Sequence, residues 1–282
     1  YDTTRWNPQN HDGSTGLLVD LRSGLKNSLN LISVRIVQEL IKPKDVRNTA
    51  KRFGFTTPIK AVDAIALGVS EVLPIDITLA YAAIAFNGIL HEPFIINSIK
   101  DREGNNIRKF LPISKEAGDE KTIFLLRDMM KSVVDSGTGG SLRWRYKFYS
   151  PAAGKTGTTN NKTDAWFIGF TPEIVIGIWV GIDDPKMKLG EKQYGSTAAL
   201  PIFANTIKRI YDLGEFSYLN NSISLHSKSD WEIPEGVIKK RICKDTCCLQ
   251  TDWCETYNEY FLEGNFPKEK CEEYSNPLFR FK

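Results

Sequence analysis

Two apolar runs, Asp164 to Phe170 and Ile174 to Ile182, are separated only by Thr171, Pro172 and Glu173. So short a link can join antiparallel strands, whereas parallel pairing needs a crossover of about a dozen residues or more. Trp166, Ile168 and Phe170 fall on one face of the first run, and Ala165, Phe167 and Gly169 on the other. A strand that is apolar on both faces belongs in a sheet covered on both sides. The two runs therefore predict an antiparallel hairpin at the centre of a covered sheet.

Immediately before them stands Pro151-Ala152-Ala153-Gly154-Lys155-Thr156-Gly157-Thr158-Thr159. Gly154 and Gly157 bracket Lys155, and glycine within a strand often marks close approach of another backbone. The pattern thus predicts a strand against which a further extended chain can lie. Thr156 and Thr158 share one face, opposite Lys155 and Gly157. A cation, hydroxyls and free strand amides suit a peptide that ends in a carboxylate. A flexible Gly/Thr turn carrying a solvated lysine is the alternative these residues leave open.

The rest of the chain supplies covering helices. Leu17 to Leu25 reads as a short helix, and Leu31, Val34, Val37 and Ile41 recur at helical spacing with Pro43 as the stop. Ser28 and Asn30, just ahead of that run, have the chemistry of N-cap residues. Asp45 to Phe53 reads as helix, as does Pro74 to Asn87-Gly88, where Ala80, Ala82, Ala83 and Ala85 permit close packing. Phe94 to Ile99 and Asn106 to Phe110 flank a turn and predict a surface hairpin. Lys121 to Val134 is helical again, ending in the glycine cluster Gly137-Thr138-Gly139-Gly140, and Gly195 to Leu213 can cross the sheet. Helices, then three strands from about Ala152 to Ile182, then a closing helix define an α+β fold, an antiparallel sheet covered by helices.

Several chemistries are excluded by what the chain lacks. A net charge of +3 over 282 residues, with no long basic run, argues against a nucleic-acid surface. No phosphate loop or dinucleotide glycine pattern occurs. The histidines, His11, His91 and His226, are poorly set for a Ser-His-Asp triad. Asp183-Asp184 has no third ligand at convincing spacing, so it reads as a solvated turn and no metal or other cofactor is expected. The serine-lysine class remains, which draws Ser-x-x-Lys, Ser-x-Asn and Lys-Thr-Gly from separate elements.

Ser28-Leu29-Asn30, followed 127 residues later by Lys155-Thr156-Gly157-Thr158, resembles the second and third of those motifs in penicillin-binding protein transpeptidases. Leu67-Gly68-Val69-Ser70-Glu71-Val72-Leu73-Pro74 and Asp164-Ala165-Trp166-Phe167-Ile168-Gly169-Phe170-Thr171-Pro172 are similar to phrases of the bifunctional class A enzymes. The resemblance runs from about Trp6 to Leu213 and implies a serine β-lactamase/penicillin-binding fold. It implies a D,D-transpeptidase that crosslinks peptidoglycan stem peptides through a serine acyl-enzyme and that β-lactams acylate. Such a protein faces the periplasm, carries a glycosyltransferase domain upstream and is anchored in the membrane.

By the same resemblance, Lys155 draws in the terminal carboxylate and favours a neutral neighbouring lysine base, since a nearby like charge lowers a lysine's pKa. Ser28 relays a proton to the leaving amine, and Asn30 holds the substrate amide and the base. Thr156, Gly157 and Thr158 bind substrate, with the Thr158 N–H as one oxyanion donor. The nucleophile's Ser-x-x-Lys is expected before Tyr1, because the local Ser23-Gly24-Leu25-Lys26 lies too close to Ser28 to face it across a cleft. A serine β-lactamase and a non-catalytic peptidoglycan-binding module remain as alternatives.

The expected division places a transpeptidase domain lacking its N-terminal part at residues 1–213 and a cysteine-rich tail at 214–282. All five cysteines, Cys243, Cys247, Cys248, Cys254 and Cys271, fall in that tail. Such clustering in a segment too small for its own core suits disulfides in an oxidising compartment. Two disulfides and one free thiol are expected, with zinc as the rival. Tyr257, Tyr260, Phe261 and Phe266 suit a small satellite core or a partner surface.

Overall fold

The first helix, α1 (Leu21–Lys26), is opened by Asp20, whose carboxylate accepts the Ser23 amide at 2.6 Å. A computed structural model of the chain describes residues 6–16, 19–184, 186–213, 215–218, 221–224, 229–244, 246–251 and 254–270. Leu17, His226 and Cys271 therefore lie outside the described residues.

The next helix, α2 (Asn30–Arg35), takes its cap from a distant residue. Asn10 Oδ1 accepts the Leu31 N–H at 2.9 Å, so neither Ser28 nor Asn30 serves as the expected N-cap. The apolar run continues through a π-helical turn, Ile36–Leu40. The run ends at Leu40, just ahead of Pro43 as expected, and Pro43 also opens α3 (Pro43–Arg52), because a proline at the first helical position lacks only an N–H that would be unpaired there anyway. Pro74 opens α4 (Pro74–Ala85) in the same way, and Ala80, Ala83 and Ala85 are buried as their small size allows.

A two-stranded ribbon follows. β1 (Ile89–His91) pairs with β4 (Ser114–Glu116), and inside that loop β2 (Ser98–Lys100) pairs with β3 (Asn106–Lys109). Leu90 of β1 is buried beside Ala83 of α4 and Ala117, whereas Ile95, Ile107 and Leu111, in and around the β2-β3 pair, stand exposed. Asp119 then caps α5 (Glu120–Ser136), and a short α6 (Ser141–Trp144) turns the chain toward the sheet.

The sheet has the order β5-β6-β7 and is antiparallel throughout: β5 (Ala153–Thr158), β6 (Asp164–Phe170), β7 (Val175–Gly181). The predicted central hairpin is therefore β6-β7, and the lysine strand lies at one edge. β6 is buried on both faces. Phe167 meets Phe203 at 4.9 Å between centroids, within a cluster that includes Leu200, Ala204 and Ile207 of α7 (Leu200–Asp212). Phe170 faces the other way, toward Met130 of α5 and Ala85 of α4. Burying each such side chain stabilises the fold by about 1.5–3 kcal/mol, so this double-sided packing anchors β6 and, through it, the register of β5.

Beyond α7 lie two hairpins, β8 (Glu215–Tyr218) with β9 (Asn221–Ser224), and β10 (Val237–Cys243) with β11 (Thr256–Leu262). Cys243 and Cys254 form a disulfide across the second hairpin, Cys248 is also disulfide-bonded, and Cys247 is free and exposed. The aromatic residues of this region do not keep to themselves. Tyr260 packs edge-on against Phe124 of α5, with centroids 5.2 Å apart, and Trp231 against Phe170 at 5.7 Å. Among the described residues no helix is long and apolar enough to cross a membrane.

Candidate active site

Ser28 reaches its position through the way α1 stops. The Ser28 amide donates to Leu25 O at 3.2 Å and the Leu29 amide to Gly24 O at 2.9 Å, the paired bonds of a Schellman motif. Ser28 occupies the left-handed position of that motif, with φ +56°, where glycine is the usual residue. A serine there stores strain, of the kind that gathers at functional sites.

Lys155 comes from the edge strand β5 and meets that serine. Its Nζ donates to Ser28 Oγ at 2.8 Å and to Thr156 O at 3.1 Å. Burial pulls the Lys155 ammonium from its ordinary range down to about 8. A lysine so placed still carries charge at neutral pH but releases its proton more readily than a solvated one. Ser28 and Lys155 thus form a hydroxyl-ammonium pair drawn from elements far apart in the chain. This arrangement removes the alternative of a solvated lysine on a flexible turn.

The neighbouring hydroxyls are held by the protein. Thr156 Oγ1 lies 2.8 Å from Thr138 Oγ1, and Thr158 Oγ1 accepts the Gly195 N–H at 3.0 Å. Gly195 must be glycine here, since a Cβ would sit 2.3 Å from Trp166 O and 2.6 Å from Gly157 O. Gly154 and Gly157 answer to their own sheet rather than to an incoming chain: a Cβ on Gly154 would lie 2.7 Å from Ile168 O, and one on Gly157 3.2 Å from Trp166 Cβ.

Asn30 Nδ2 donates to Gln9 O at 2.8 Å, binding the N-terminal loop. Ser23 is engaged with Asp20, its Oγ 3.0 Å from Asp20 Oδ2. Thr138 and Gly195 went unnoticed as site residues in the sequence. The signal for Thr138 was the cluster Gly137-Thr138-Gly139-Gly140, legible there as a bend or a mobile rim. Among the described residues no group of three or more His, Cys, Asp or Glu could hold a metal ion.

The sheet, its helical layers and the lysine-serine pair at its edge define an α+β protein of the serine-lysine class. The sequence pattern of the penicillin binding protein transpeptidase domain matches residues 1–208, and that of the penicillin-binding protein 1A C-terminal domain matches residues 233–276. The chain belongs to the penicillin binding protein transpeptidase domain family. It is 38% identical over 229 residues to penicillin-binding protein 1A of Rickettsia typhi, covering 73% of this chain and 28% of that protein. To penicillin-binding protein 1A of Aquifex aeolicus it is 31% identical over 276 residues, 97% of this chain and 36% of that protein. It therefore spans about a third of those relatives' length. The fold matches crystalline penicillin-binding protein 1A from Haemophilus influenzae with a TM-score of 0.82 at 24% identity, over 95% of this chain and 43% of that one.

Proposed function

We propose that this chain is the carboxylate-recognising and proton-relaying part of a peptidoglycan D,D-transpeptidase. The reaction acylates a serine with a stem peptide, expels the terminal D-alanine, and passes the acyl group to the amine of a second stem peptide. The observation that carries the reading is the 2.8 Å contact between Lys155 Nζ and Ser28 Oγ. A lysine with a weakened hold on its proton, bonded to a hydroxyl, can move a proton to a departing amine through that hydroxyl. Its charge, with the Thr156 and Thr158 side of β5, suits the peptide's terminal carboxylate, and the Thr158 N–H suits the developing oxyanion. Asn30 is assigned to the substrate amide, which requires its carboxamide to exchange Gln9 O for substrate. Gly157, between the two threonines, is assigned to the substrate-binding strand.

The nucleophile in this reading comes from a Ser-x-x-Lys outside residues 1–282, because Ser23 is committed to the cap of α1. The catalytic domain is assigned to residues 1–213 and the cysteine-rich tail to 214–282, in a protein with an upstream glycosyltransferase domain and a membrane anchor, working on the periplasmic side. In that complete protein, Lys155→Ala is expected to slow acylation by a fluorescent penicillin on the order of a hundredfold or more with the fold intact. Residues 1–282 alone should take no covalent label, since losing the nucleophile of a serine enzyme costs on the order of a millionfold. Unchanged acylation in Lys155→Ala, or an adduct mapped by mass spectrometry to Ser23, would overturn the assignment. Rapid hydrolysis of the adduct would instead indicate a β-lactamase.

A further inference from the structure

Thr138 closes a ring of bonds that no motif of the sequence includes. It lies just past the C-terminus of α5, where its N–H donates to Lys26 O at 3.2 Å. Gly137 beside it has no room for a side chain, since a Cβ would be 2.4 Å from the same Lys26 O. The end of α5 is thereby seated against the end of α1, two residues before Ser28. On its other side Thr138 Oγ1 meets Thr156 Oγ1 at 2.8 Å, next to Lys155, whose Nζ returns to Ser28. The circuit runs from Lys26 to Thr138, Thr156 and Lys155, and back to Ser28.

We propose that Thr138 is a positioning residue for carboxylate recognition at this site: its hydroxyl donates to Thr156 Oγ1 and so leaves the Thr156 proton aimed at the carboxylate of the incoming peptide or β-lactam. A hydroxyl has one proton and two acceptor lone pairs. Were Thr156 the donor to Thr138, it would offer an anion only lone pairs, which repel it. With Thr138 as donor, Thr156 keeps its proton for the ligand, and a hydrogen bond received strengthens the one it gives. This inference rests on the transpeptidase reading for the identity of the ligand but assigns a residue that the reading does not use.

The test uses the complete protein carrying this chain and Thr138→Val, which keeps the shape and removes the hydroxyl. The second-order rate of acylation by benzylpenicillin should fall roughly tenfold, the worth of one aligned hydrogen bond to a charged group. Thr138→Ser should restore it. In combination with Thr156→Val the two changes should not add, because they remove one shared bond. A purely structural role predicts the same loss for every ligand. The inference predicts that acylation by the benzylpenicillin methyl ester, which lacks the carboxylate, is unaffected by Thr138→Val. Binding of N-acetyl-D-alanyl-D-alanine against its C-terminal amide, followed by NMR titration, gives a readout independent of acylation. Loss of the preference for the carboxylate in Thr138→Val supports the inference even if no adduct ever forms. Equal behaviour of Thr138→Val and the unaltered protein toward carboxylate ligands, or additivity with Thr156→Val, overturns it while leaving the Lys155 assignment standing.

Discussion

Two regions of this molecule remove a cation from water, and they treat it in opposite ways. At the tail, Arg22 of α1 is clamped: Nε donates to Glu259 Oε2 at 2.7 Å and Nη1 to Asp128 O at 2.9 Å and Ser132 Oγ at 2.8 Å, while Nη2 pairs with Asp128 and Glu259. Burial pulls the Arg22 guanidinium down, but the bonds and charges of Glu259 and Asp128 more than offset it and hold it above the ordinary range. At the sheet edge, Lys155 has a hydroxyl and a carbonyl, and burial moves it down unopposed. The difference separates a joint from a working group. Full pairing fixes a charge in place, which suits the seam between β11, α1 and α5. A cation kept short of carboxylates stays available to a carboxylate that arrives.

Arg127 lies between these extremes. It is fully buried, bonded at Nη1 to Ile84 O and Ala85 O, both at 3.2 Å, and to Asn87 Oδ1 at 2.8 Å. Burial lowers it to about 10, partly opposed by the charges of Asp230, Glu120 and Asp128. It caps the C-terminus of α4, where a helix's unpaired carbonyls attract a cation. Trp231 joins the same cap, its Nε1 donating to Ala85 O at 3.0 Å, and the guanidinium carbon lies 5.1 Å from the Trp231 ring centre. The segment leading into β10 is thus bound to the body through the end of one helix.

The sharpest way to break the comparison is Arg22→Ala. It leaves Asp128 and Glu259 facing each other, each side chain about 15% exposed, with no cation between them. Removing one partner of a buried pair costs on the order of 3–5 kcal/mol. The urea midpoint should fall accordingly, and amide exchange in β10 and β11 should speed up more than in β6. Loss spread evenly over β6 and the β10-β11 hairpin would mean that Arg22 does not specifically hold that hairpin to α1 and α5. Next in size is Arg127→Met, which keeps the bulk but drops three hydrogen bonds. Because Trp231 still serves Ala85 O, the cost should be nearer 1–3 kcal/mol, read from the same midpoint. A loss matching that of Arg22→Ala would show that the charge of Arg127, rather than its capping bonds, holds the α4 end.

How much of this was legible beforehand follows the range of each interaction. The β6-β7 hairpin and the lysine strand were readable because their cause is local: apolar residues on both faces and a three-residue link. The N-cap assigned to Ser28 and Asn30 failed because Asn10, from the N-terminal loop, supplies the acceptor and α1 ends in a left-handed turn at Ser28. Local chemistry made both residues plausible caps, and a distant side chain took the role. The stop at Pro43 was readable from the residue itself, but not that the same proline opens the next helix, a position it also favours. The pairing of Ser28 with Lys155 came only from resemblance, and the Thr138 bond from neither resemblance nor pattern. The tail's cysteines announced disulfides, but its docking depends on Glu259, Tyr260 and Trp231 finding partners more than a hundred residues away.

The smallest effect, and the one with opposite sign, belongs to Lys155→Met. The change fills the same space, removes a desolvated charge and breaks no ion pair. It should leave the protein as stable as before or more so, by about 0.5–2 kcal/mol, the usual return when a residue kept for function is replaced by one that fits. Its signature lies in the pH dependence. The folded Lys155 titrates at about 8 and an unfolded lysine at 10.5, so between those values the unfolded chain holds the extra proton. Stability therefore rises with pH across that window, as the folded site sheds its buried charge while the unfolded lysine is still protonated. Below pH 8 the cost of burying the ammonium is fully present, and above 10.5 it is gone. Lys155→Met should lack that rise, so the balance between the two stability curves shifts toward the unaltered protein as the pH climbs from 8 to 10.5. Parallel curves across the window would mean that Lys155 is as well satisfied as Arg22, and the contrast between the two sites would fail.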